Sequence, residues 1–460
     1  MFDDDRILQS PAAVTQDREA NEPLRLVLED PNRSRLRWLL TASVVCVALI
    51  ALAGLIVWVG HDPNNPGFWH VSLVSVLFWL SVSQGMLALS ALLRVAHASW
   101  RYPLTRLLDI ASLFGLWVGA LLPFLVVARQ HIYALGSSDY RDNVWRVSGP
   151  IVWDALAVGT AYLAGWMLLY LTCLPDFAVL RDRAPDGSKA KAFYKKLAWA
   201  WRGSEHQWRV LRRAEGVLVV GIIVSFVASQ TVLGWDFQLA AARNWDSSIF
   251  APLFTLGSLL GGTALTVLVM TVVGKVLRGH GFITTRQYGS LGGLMIGLGL
   301  IWFYFRFCDY LTAWYGHIPS EWSIQNNRVT AFPFFAALMV FGCFVAPVFG
   351  NIVSKIRNSP LGLCTISVFV LIGLATQRYL DTVPTFAPNY PLSALTPTLA
   401  SATVFLGLAA MFVLTYLLAA RWLPIMSWWG TGKEKTRTVE KTLGNATVTV
   451  MVTDPPVWET

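Results

Sequence analysis

Charged side chains are scarce in this sequence, and cysteine and histidine occur only as isolated residues. Asp, Glu, Lys and Arg make up 14% of the 460 residues, whereas 55% are hydrophobic. Soluble globular domains carry roughly 25% charged residues, so the composition excludes an ordinary soluble globule. The shortage of charge instead indicates a polytopic helical membrane protein.

The cysteines and histidines lack the spacing that cofactor sites require. The five cysteines are isolated within apolar runs, with no CxxC or CxxCH motif, at positions 46, 173, 308, 343 and 364. None of the seven histidines lies in the middle of an apolar run, where a bis-histidine haem would need its ligands. We therefore expect no disulfide, no haem, no iron–sulfur cluster and no metal site in this chain.

Apolar runs long enough to cross a membrane are abundant. A hydrocarbon core of about 30 Å needs about 20 helical residues. Runs of this kind predict ten membrane-spanning helices, at about 37–60, 68–96, 104–129, 150–178, 214–240, 248–274, 285–314, 329–352, 361–380 and 392–422. The predicted fold is all-α and polytopic, with residues 37–425 as the membrane domain.

The distribution of lysine predicts the orientation of these helices. All nine lysines fall in alternate connections or in the C-terminal tail, at positions 189, 191, 195, 196, 275, 355, 433, 435 and 441. The positive-inside rule then places both termini in the cytoplasm. Residues 1–36 and 426–460 are accordingly predicted cytoplasmic tails, the second with one short extended segment. The topology accounts for the net charge of +9, so nucleic acid is not an expected partner.

The largest predicted cytoplasmic loop mixes basic and aromatic residues. Between Lys189 and Arg213 it reads KAKAFYKKLAWAWRGSEHQWRVLRR. Such a mixture predicts an interfacial helix on anionic lipid, and docking of another subunit is the alternative.

Two aspartates interrupt apolar runs at the same predicted depth near the outer face. Asp154 is the only carboxylate in residues 151–174, and Asp236 lies at the end of the fifth predicted span. An ionisable group in such a run is costly and usually serves a function or a partner. Each follows a tryptophan, Trp153 or Trp235, which could wall a bound ring. We predict that the two acids meet; the alternative is that they pair with an arginine or cap helix ends.

Three further polar residues lie within predicted spans. Gln84 is an amide near mid-membrane, for which packing between helices is the simpler interpretation. Gln230 lies six residues before Asp236, roughly 9 Å deeper by the rise of a helix. Asp109 lies near the cytoplasmic end of the third span. It is either a proton entry point or the partner of neighbouring basic residues.

Three residues approach the outer face from the seventh span. Arg306 is placed to neutralise an acid there, with Asp309 and Tyr310 close behind it. The ninth and tenth spans are predicted to be joined on this side by the loop TQRYLDTVPTFAPNYP, whose prolines indicate a rigid cover.

Several segments taken together resemble the NrfD-like family of polysulfide-reductase membrane subunits. They are PIVWDALAVGTAYL, LPDFAVLRDR, WAWRGSEHQW, GWDFQLA with WDSSIFAPLF, DYLTAWYGHIP and QRYLDTVP, within about residues 68–384. The chain is most similar to the ten-helix quinol-oxidising subunit of bacterial alternative complex III.

The resemblance implies a fold, a ligand and partners. It implies two four-helix bundles side by side, at about 68–240 and 248–380, in the bacterial cytoplasmic membrane. A quinone, either menaquinone or ubiquinone, would bind near the outer face against an extracytoplasmic iron–sulfur subunit. Multihaem cytochrome c subunits, lipids and other membrane subunits, including an NrfD-like paralogue, would complete the assembly.

The resemblance also implies roles for four acids. Asp154 and Asp236 match acids near the family's quinone pocket. Asp109 and Asp309 match acids for which proton-conducting half-channels are proposed, beside Arg306. Quinol oxidation with proton translocation is therefore the function that the family predicts.

The sequence departs from the family's pattern at two positions. Gln84 and Gln230 stand where histidines are expected. Histidine accepts a proton near neutral pH, whereas glutamine only donates and accepts hydrogen bonds. Either the carboxylates work alone, or the chain is a non-catalytic paralogue that anchors the redox subunits. A secondary transporter is the third alternative, although the sequence shows no inverted pair of interrupted helices.

Overall fold

Helices make up almost all of the described chain outside its C-terminal tail. The computed structural model describes residues 40–49, 51, 66–119, 150–184, 186–239, 245, 247–276, 283–386, 399–425, 436–443 and 446–453. The helices are α1 (Leu40–Leu49), α2 (Pro66–Val95), α3 (Tyr102–Ile110), α4 (Pro150–Arg183), α5 (Lys189–Leu197), α6 (Glu205–Gly234), α7 (Phe250–Val276), α8 (Thr285–Gly316), α9 (Pro319–Thr330), α10 (Pro333–Val340), α11 (Ala346–Ile352), α12 (Ser354–Arg357), α13 (Pro360–Phe386) and α14 (Leu399–Trp422). An apolar chain adopts helices in lipid because a helix satisfies its backbone polar groups internally.

Two 3₁₀ turns and two π-helical turns adjoin four of these helices. The 3₁₀ turns Ser99–Arg101 and Ala111–Phe114 flank α3. The π-helical turn Trp235–Leu239 continues α6, and a second one, Phe341–Val345, joins α10 to α11. Turns of the π type inside a longer helix are often found at functional sites, and both lie beside the polar clusters described below.

The prediction of a multi-pass, all-α membrane protein is confirmed. Eight helical segments of the described residues are long and apolar enough to cross a membrane: Trp69–Val95, Ile151–Asp182, Glu205–Leu239, Phe250–Lys275, Thr285–Gly316, Pro333–Ile352, Pro360–Pro384 and Ser401–Ala420. They correspond to eight of the ten predicted spans. The first and third predicted spans lie partly outside the described residues, which include α1 and α3 from them. Most of the N-terminal tail, residues 1–36, lies outside the described residues as well.

Helix α2 lies at the centre of the molecule. Of its most apolar stretch, 94% is buried within the protein, against 33% to 67% for the other candidate spans. It packs against α6, α7, α13 and α14. The surrounding helices therefore carry the lipid-facing surface, and α2 contacts four of them.

Helices α2 and α7 approach each other backbone to backbone. A Cβ atom built on Gly85 would lie 2.0 Å from the carbonyl oxygen of Ser258, and one built on Gly262 would lie 2.3 Å from the carbonyl carbon of Gly85. Only residues without a side chain fit at such a contact, which is how small residues bring membrane helices together. The two predicted bundles, to which these helices belong, therefore meet in a closely packed junction.

The prediction that an outer loop begins at TQRYLDTVP, after the ninth span, is wrong. Helix α13 continues to Phe386 with Pro384 inside its last turn, so TQRYLDTVP is helical. Polar residues ended the predicted span because they are costly in lipid. In the structure Gln377, Arg378 and Asp381 are buried in protein and have polar partners there, so they do not end the helix.

The basic loop that the sequence predicts to be cytoplasmic contains a shorter helix than its composition suggested. Helix α5 ends at Leu197, Trp199 has a φ of 47°, and α6 begins at Glu205. Ser204 starts α6 with a capping box that it forms with Gln207. The run from 189 to 213 is thus two helices with a turn between them, and its contact with lipid stays a prediction.

The C-terminal tail adds a small amount of β structure. Strands β1 (Thr436–Leu443) and β2 (Ala446–Thr453) pair antiparallel, from Thr436 opposite Thr453 to Leu443 opposite Ala446. Both are rich in threonine and valine, which favour strands. The sequence predicted one extended segment here, and the structure has two.

Candidate functional site

Two polar clusters and a cavity lie at the same end of the helices. Successive spans alternate in direction, so the start of α4 and the ends of α6, α8 and α13 reach the same end of the molecule. This is the end that the lysine distribution predicts to face outward. Most of the candidate residues from the sequence fall here, and Asp109 lies at the opposite end.

Asp154 and Asp236 are brought together by two neighbouring helices. Asp154 lies in the first turns of α4, and Asp236 lies in the π-helical turn that follows α6, which packs against α4. The side chains of the two acids lie close enough to interact with each other. Asp154 is 2% exposed, and Asp236 is half-buried. Two acids in contact bind and release protons as a pair rather than singly.

The tryptophans beside these acids face outward. Trp153 is 56% exposed and Trp235 is 48% exposed. They lie at the surface next to the buried carboxyl pair, where a lipid-soluble ring approaching from the bilayer would meet them. The alternative that Arg306 pairs with Asp154 or Asp236 is wrong, because Arg306 pairs with other acids.

Gln84 and Gln230 form an amide pair between α2 and α6. The Gln230 Nε2 atom donates to Gln84 Oε1 at 2.7 Å, and Ser229 Oγ donates to the same oxygen at 3.0 Å. Ser258 Oγ of α7 donates to Gln230 Oε1 at 2.6 Å. The expectation that a mid-membrane amide finds an interhelical partner is confirmed for Gln84. The pair lies beside the glycine contact between α2 and α7.

A buried arginine from α13 extends this amide cluster. The Arg378 Nη2 atom donates to Ser258 Oγ at 2.9 Å and to the Phe254 carbonyl oxygen at 3.1 Å. Its guanidinium carbon lies 3.3 Å from the centre of the Phe254 ring. Arg378 is 1% exposed, and its Nη1 atom has no hydrogen-bond acceptor among the described residues. Polar contacts therefore connect α2, α6, α7 and α13 through the middle of the molecule.

Asp109 is held by a salt bridge at the opposite end. The Arg94 Nη2 atom lies 2.6 Å from Asp109 Oδ2, and Arg94 Nε lies 2.8 Å from Glu215 Oε1. Asp109 is fully buried, whereas Glu215 is partly exposed. The nearer basic residue in sequence, Arg106, pairs with Asp176 at 2.8 Å. Pairing with a basic residue, one of the two alternatives for Asp109, is thus observed, and its role in a proton path stays a prediction.

Arg306 belongs to a cluster of paired charges between α8, α9 and α13. Its Nη2 atom lies 3.0 Å from both carboxylate oxygens of Asp381, and its Nη1 atom lies 3.6 Å from Asp309 Oδ2. Arg328 Nη1 lies 3.7 Å from Asp381 Oδ1. Asp381 is 0% exposed and Asp309 3%. Two arginines and two aspartates therefore balance each other within the protein, and we call them the arginine–aspartate cluster.

Neutral groups complete the surroundings of Asp309 and Tyr310. Gln325 Nε2 donates to Asp309 Oδ2 at 2.8 Å, and Ser247 Oγ donates to Asp309 Oδ1 at 2.7 Å. The Tyr310 ring packs edge-on against Trp322, with the ring centres 5.8 Å apart. Tyr310 thus belongs to the surroundings of the arginine–aspartate cluster, and no contact with the carboxyl pair of Asp154 and Asp236 is seen among the described residues.

A cavity of about 620 Å³ opens beside the arginine–aspartate cluster. Its polar end contains Arg306, Arg328 and Asp381, with Gln325 and Tyr310 nearby, and aromatic and aliphatic side chains of α8, α10, α13 and the turn Phe341–Val345 form the rest. All of its lining residues lie between 303 and 381. The cavity is therefore separate from the carboxyl pair.

Sequence reasoning did not find the centre of the arginine–aspartate cluster. Asp381, Arg328 and Gln325 were not candidates, because they lie in segments too polar to be assigned to spans. The spacing of Gln377 and Asp381 carried a signal, since residues four apart share a helix face. Gln377 Nε2 does lie within 3.4 Å of Asp381 Oδ2.

Comparison with known proteins gives no match to this chain, either with protein-family models or with curated proteins. Among the described residues, no group of three or more His, Cys, Asp or Glu side chains is placed to hold a metal ion. The NrfD-like resemblance therefore stays a prediction that depends on the sequence motifs.

Proposed function

We propose that the chain is the quinone-binding membrane subunit of a respiratory oxidoreductase, and that Asp154 and Asp236 receive protons from quinol. The observation that carries this proposal is the meeting of two acidic side chains from neighbouring, packed helices. A buried acid beside a second acid is an expensive arrangement in a membrane protein and usually serves proton transfer or a ligand. The resemblance to quinol-oxidising subunits names the ligand class.

Two acids in contact fit the proton transfer of quinol oxidation. Quinol becomes quinone by breaking two O–H bonds and losing two protons and two electrons. Asp154 and Asp236 would titrate as a pair and take up these protons one at a time. The first quinol proton would pass to the free carboxylate oxygen, which acts as general base. That proton must leave toward the membrane surface before the pair can accept the second.

The electrons require an acceptor outside this chain. Carboxyl groups accept protons and no electrons, so the two electrons would pass to an iron–sulfur subunit on the outer side and then to c-type cytochromes. The exposed Trp153 and Trp235 lie where a ring could enter from the lipid. Both partners, like the bacterial inner membrane as the location, belong to the proposal.

A second function, that of a non-catalytic anchor, is favoured by the amide pair. Gln84 and Gln230 are hydrogen-bonded to each other and buried at 1% and 0% exposure. Two glutamines that are hydrogen-bonded to each other across a close helix contact hold the fold together and accept no proton. If turnover depends on histidines at these positions, the chain keeps the scaffold and anchors the redox subunits.

The two functions are separated by the turnover of an Asp154→Asn variant. The test uses the purified complex with a short-chain quinol as donor and cytochrome c as acceptor. We expect Asp154→Asn to lower kcat by about 100-fold or more, which is the usual size of general-base catalysis. Asparagine has nearly the same shape, so quinol binding should change much less than kcat.

The matched control is Asp182→Asn, at the other end of the same helix. Asp182 is 54% exposed and pairs with the adjacent Arg181, so its replacement should leave turnover unchanged. Wild-type turnover in Asp154→Asn would contradict the role of the carboxyl pair. A wild-type complex that contains no extractable quinone and reduces no cytochrome would support the anchor.

A further inference from the structure

We propose that the cavity beside the arginine–aspartate cluster is a second binding site, which takes an uncharged lipid-soluble ring with carbonyl oxygens, the chemistry of a quinone. This site is distinct from the carboxyl pair, which the proposed turnover uses. The walls, the mouth and the polar end of the cavity support this assignment, and the polar end determines the chemistry of the ligand.

The walls of the cavity suit a flat apolar ring. Phe303 and Phe307 stack along α8 with an angle of 24° between their rings, and Phe341 contributes from the π-helical turn. That turn is held against α13 at Gly342, where a Cβ atom would lie 2.4 Å from the carbonyl oxygen of Phe369. The wider π turn directs Phe341 and Val345 to the cavity while its other side is fixed to α13. Parallel aromatic walls favour stacking with a ring.

The mouth of the cavity opens on the lipid-facing surface. Phe307 is 49% exposed, Phe341 is 41% exposed and Val329 is 43% exposed, and all three line the cavity. Two of them lie on segments that are long and apolar enough to span the membrane. A ligand that enters here comes from the hydrocarbon phase, so it carries an apolar body or chain.

The polar end of the cavity favours a neutral ligand over an anion. Arg306 and Arg328 face Asp309 and Asp381 at 3.0 to 3.7 Å, so each arginine that lines the cavity already has a carboxylate partner. A phosphate headgroup would compete with a buried carboxylate for its arginine, and removing one partner of a buried ion pair is strongly unfavourable. A carbonyl oxygen needs only a donor and leaves the pairs intact.

A donor for such a carbonyl is present at the polar end. The phenol group of Tyr310, four residues after Arg306 on the same face of α8, lines the cavity and supplies a hydroxyl donor. A carbonyl oxygen of the ligand would accept from this hydroxyl without disturbing the ion pairs.

The site can be tested with a photoreactive short-chain quinone. The full-length protein, with the subunits that co-purify with it, is irradiated with the probe, and the labelled peptides are identified by mass spectrometry. We expect labelling in α8, α10 or the turn Phe341–Val345. Excess unlabelled short-chain quinone should remove this labelling, whereas phosphatidylglycerol should not.

Two variants of matched type locate the label. Ala336→Trp fills the cavity and should abolish the labelling. Leu300→Trp adds the same ring at a residue of α8 that is 49% exposed and does not line the cavity, so it should keep the labelling. The Asp154→Asn variant should also keep it, which separates this site from the proposed turnover site.

A milder change keeps the test valid if Ala336→Trp does not fold. Tyr310→Phe removes only a hydroxyl, and the loss of one neutral hydrogen bond should weaken probe binding by about 2- to 10-fold. Three results would each overturn the proposal. The first is labelling confined to α4 and α6, and the second is labelling that phosphatidylglycerol displaces. The third is unchanged probe binding in Tyr310→Phe together with labelling in Ala336→Trp.

Discussion

The carboxyl pair and the arginine–aspartate cluster lie at the same end of the molecule and differ in how their charges are balanced. Asp154 and Asp236 are two acids in contact with each other. Asp381 is balanced by two arginines, at 3.0 Å and 3.7 Å. Gain or loss of a proton changes the charge of the first site directly. The second site needs no proton for its stability.

This difference in charge balance suits the carboxyl pair to proton exchange and the arginine–aspartate cluster to holding side chains in place. A buried acid paired with arginine is held as a carboxylate, and its partners fix its place. It orients neighbouring donors and closes one end of a cavity. A buried acid paired with another acid keeps a variable number of protons. On this comparison, the proposed turnover would use the carboxyl pair, whereas Arg306 and Asp309 form ion pairs that hold the structure.

The largest effect on stability is expected from breaking the arginine–aspartate cluster. Asp381→Ala leaves Arg306 and Arg328 without their shared carboxylate in a buried place. Removing one partner of a buried ion pair typically costs about 3–5 kcal/mol. Heat-induced unfolding of the purified protein in detergent measures the loss. The control is Asp182→Ala at the membrane surface, and a loss no larger than in that control would show that the cluster carries little of the fold.

A smaller loss is expected at the contact that joins the two halves of the molecule. Gly85→Ala places a Cβ atom 2.0 Å from the Ser258 carbonyl oxygen, so α2 and α7 must move apart. Overpacking of this kind costs about 1–3 kcal/mol. Gly159→Ala is the matched control, because a Cβ atom there has no neighbour within 4 Å. Equal thermal stability of the two variants would mean that the junction is looser than the backbone contact implies.

The sequence identified the carboxyl pair better than the cluster, for a physical reason. Asp154 is a single acid in a long apolar run, and its cost in lipid makes it conspicuous. Alternation of span direction then places it at the same end as Asp236. The position of Asp236, by contrast, depends on the π-helical turn at Trp235–Leu239, and the sequence pattern contains no sign of that turn.

The cluster was missed because helix ends and polar stretches look alike in a sequence. QRYLDTVP reads as a loop, yet α13 continues through it since each polar residue has a buried partner. Arg328 lies in α9, a polar helix of twelve residues whose mean polarity excludes it from the spans. Hydropathy alone predicts membrane spans. Pairing between distant polar residues depends on the packing of helices, which hydropathy does not encode.

The smallest effect on stability is expected at the carboxyl pair, in contrast to the arginine–aspartate cluster. In Asp236→Asn the side chain keeps nearly the same shape and its amide can donate a hydrogen bond to Asp154, so the contact between α4 and the turn after α6 survives. We expect a change within about 1 kcal/mol, the net worth of one hydrogen bond, in the same heat-induced unfolding that reveals the large loss in Asp381→Ala. Turnover should nevertheless fall, because the pair has lost one of its two proton-binding groups. A large loss of stability with turnover intact would reverse the comparison, since the pair would then hold the fold and proton exchange would lie elsewhere.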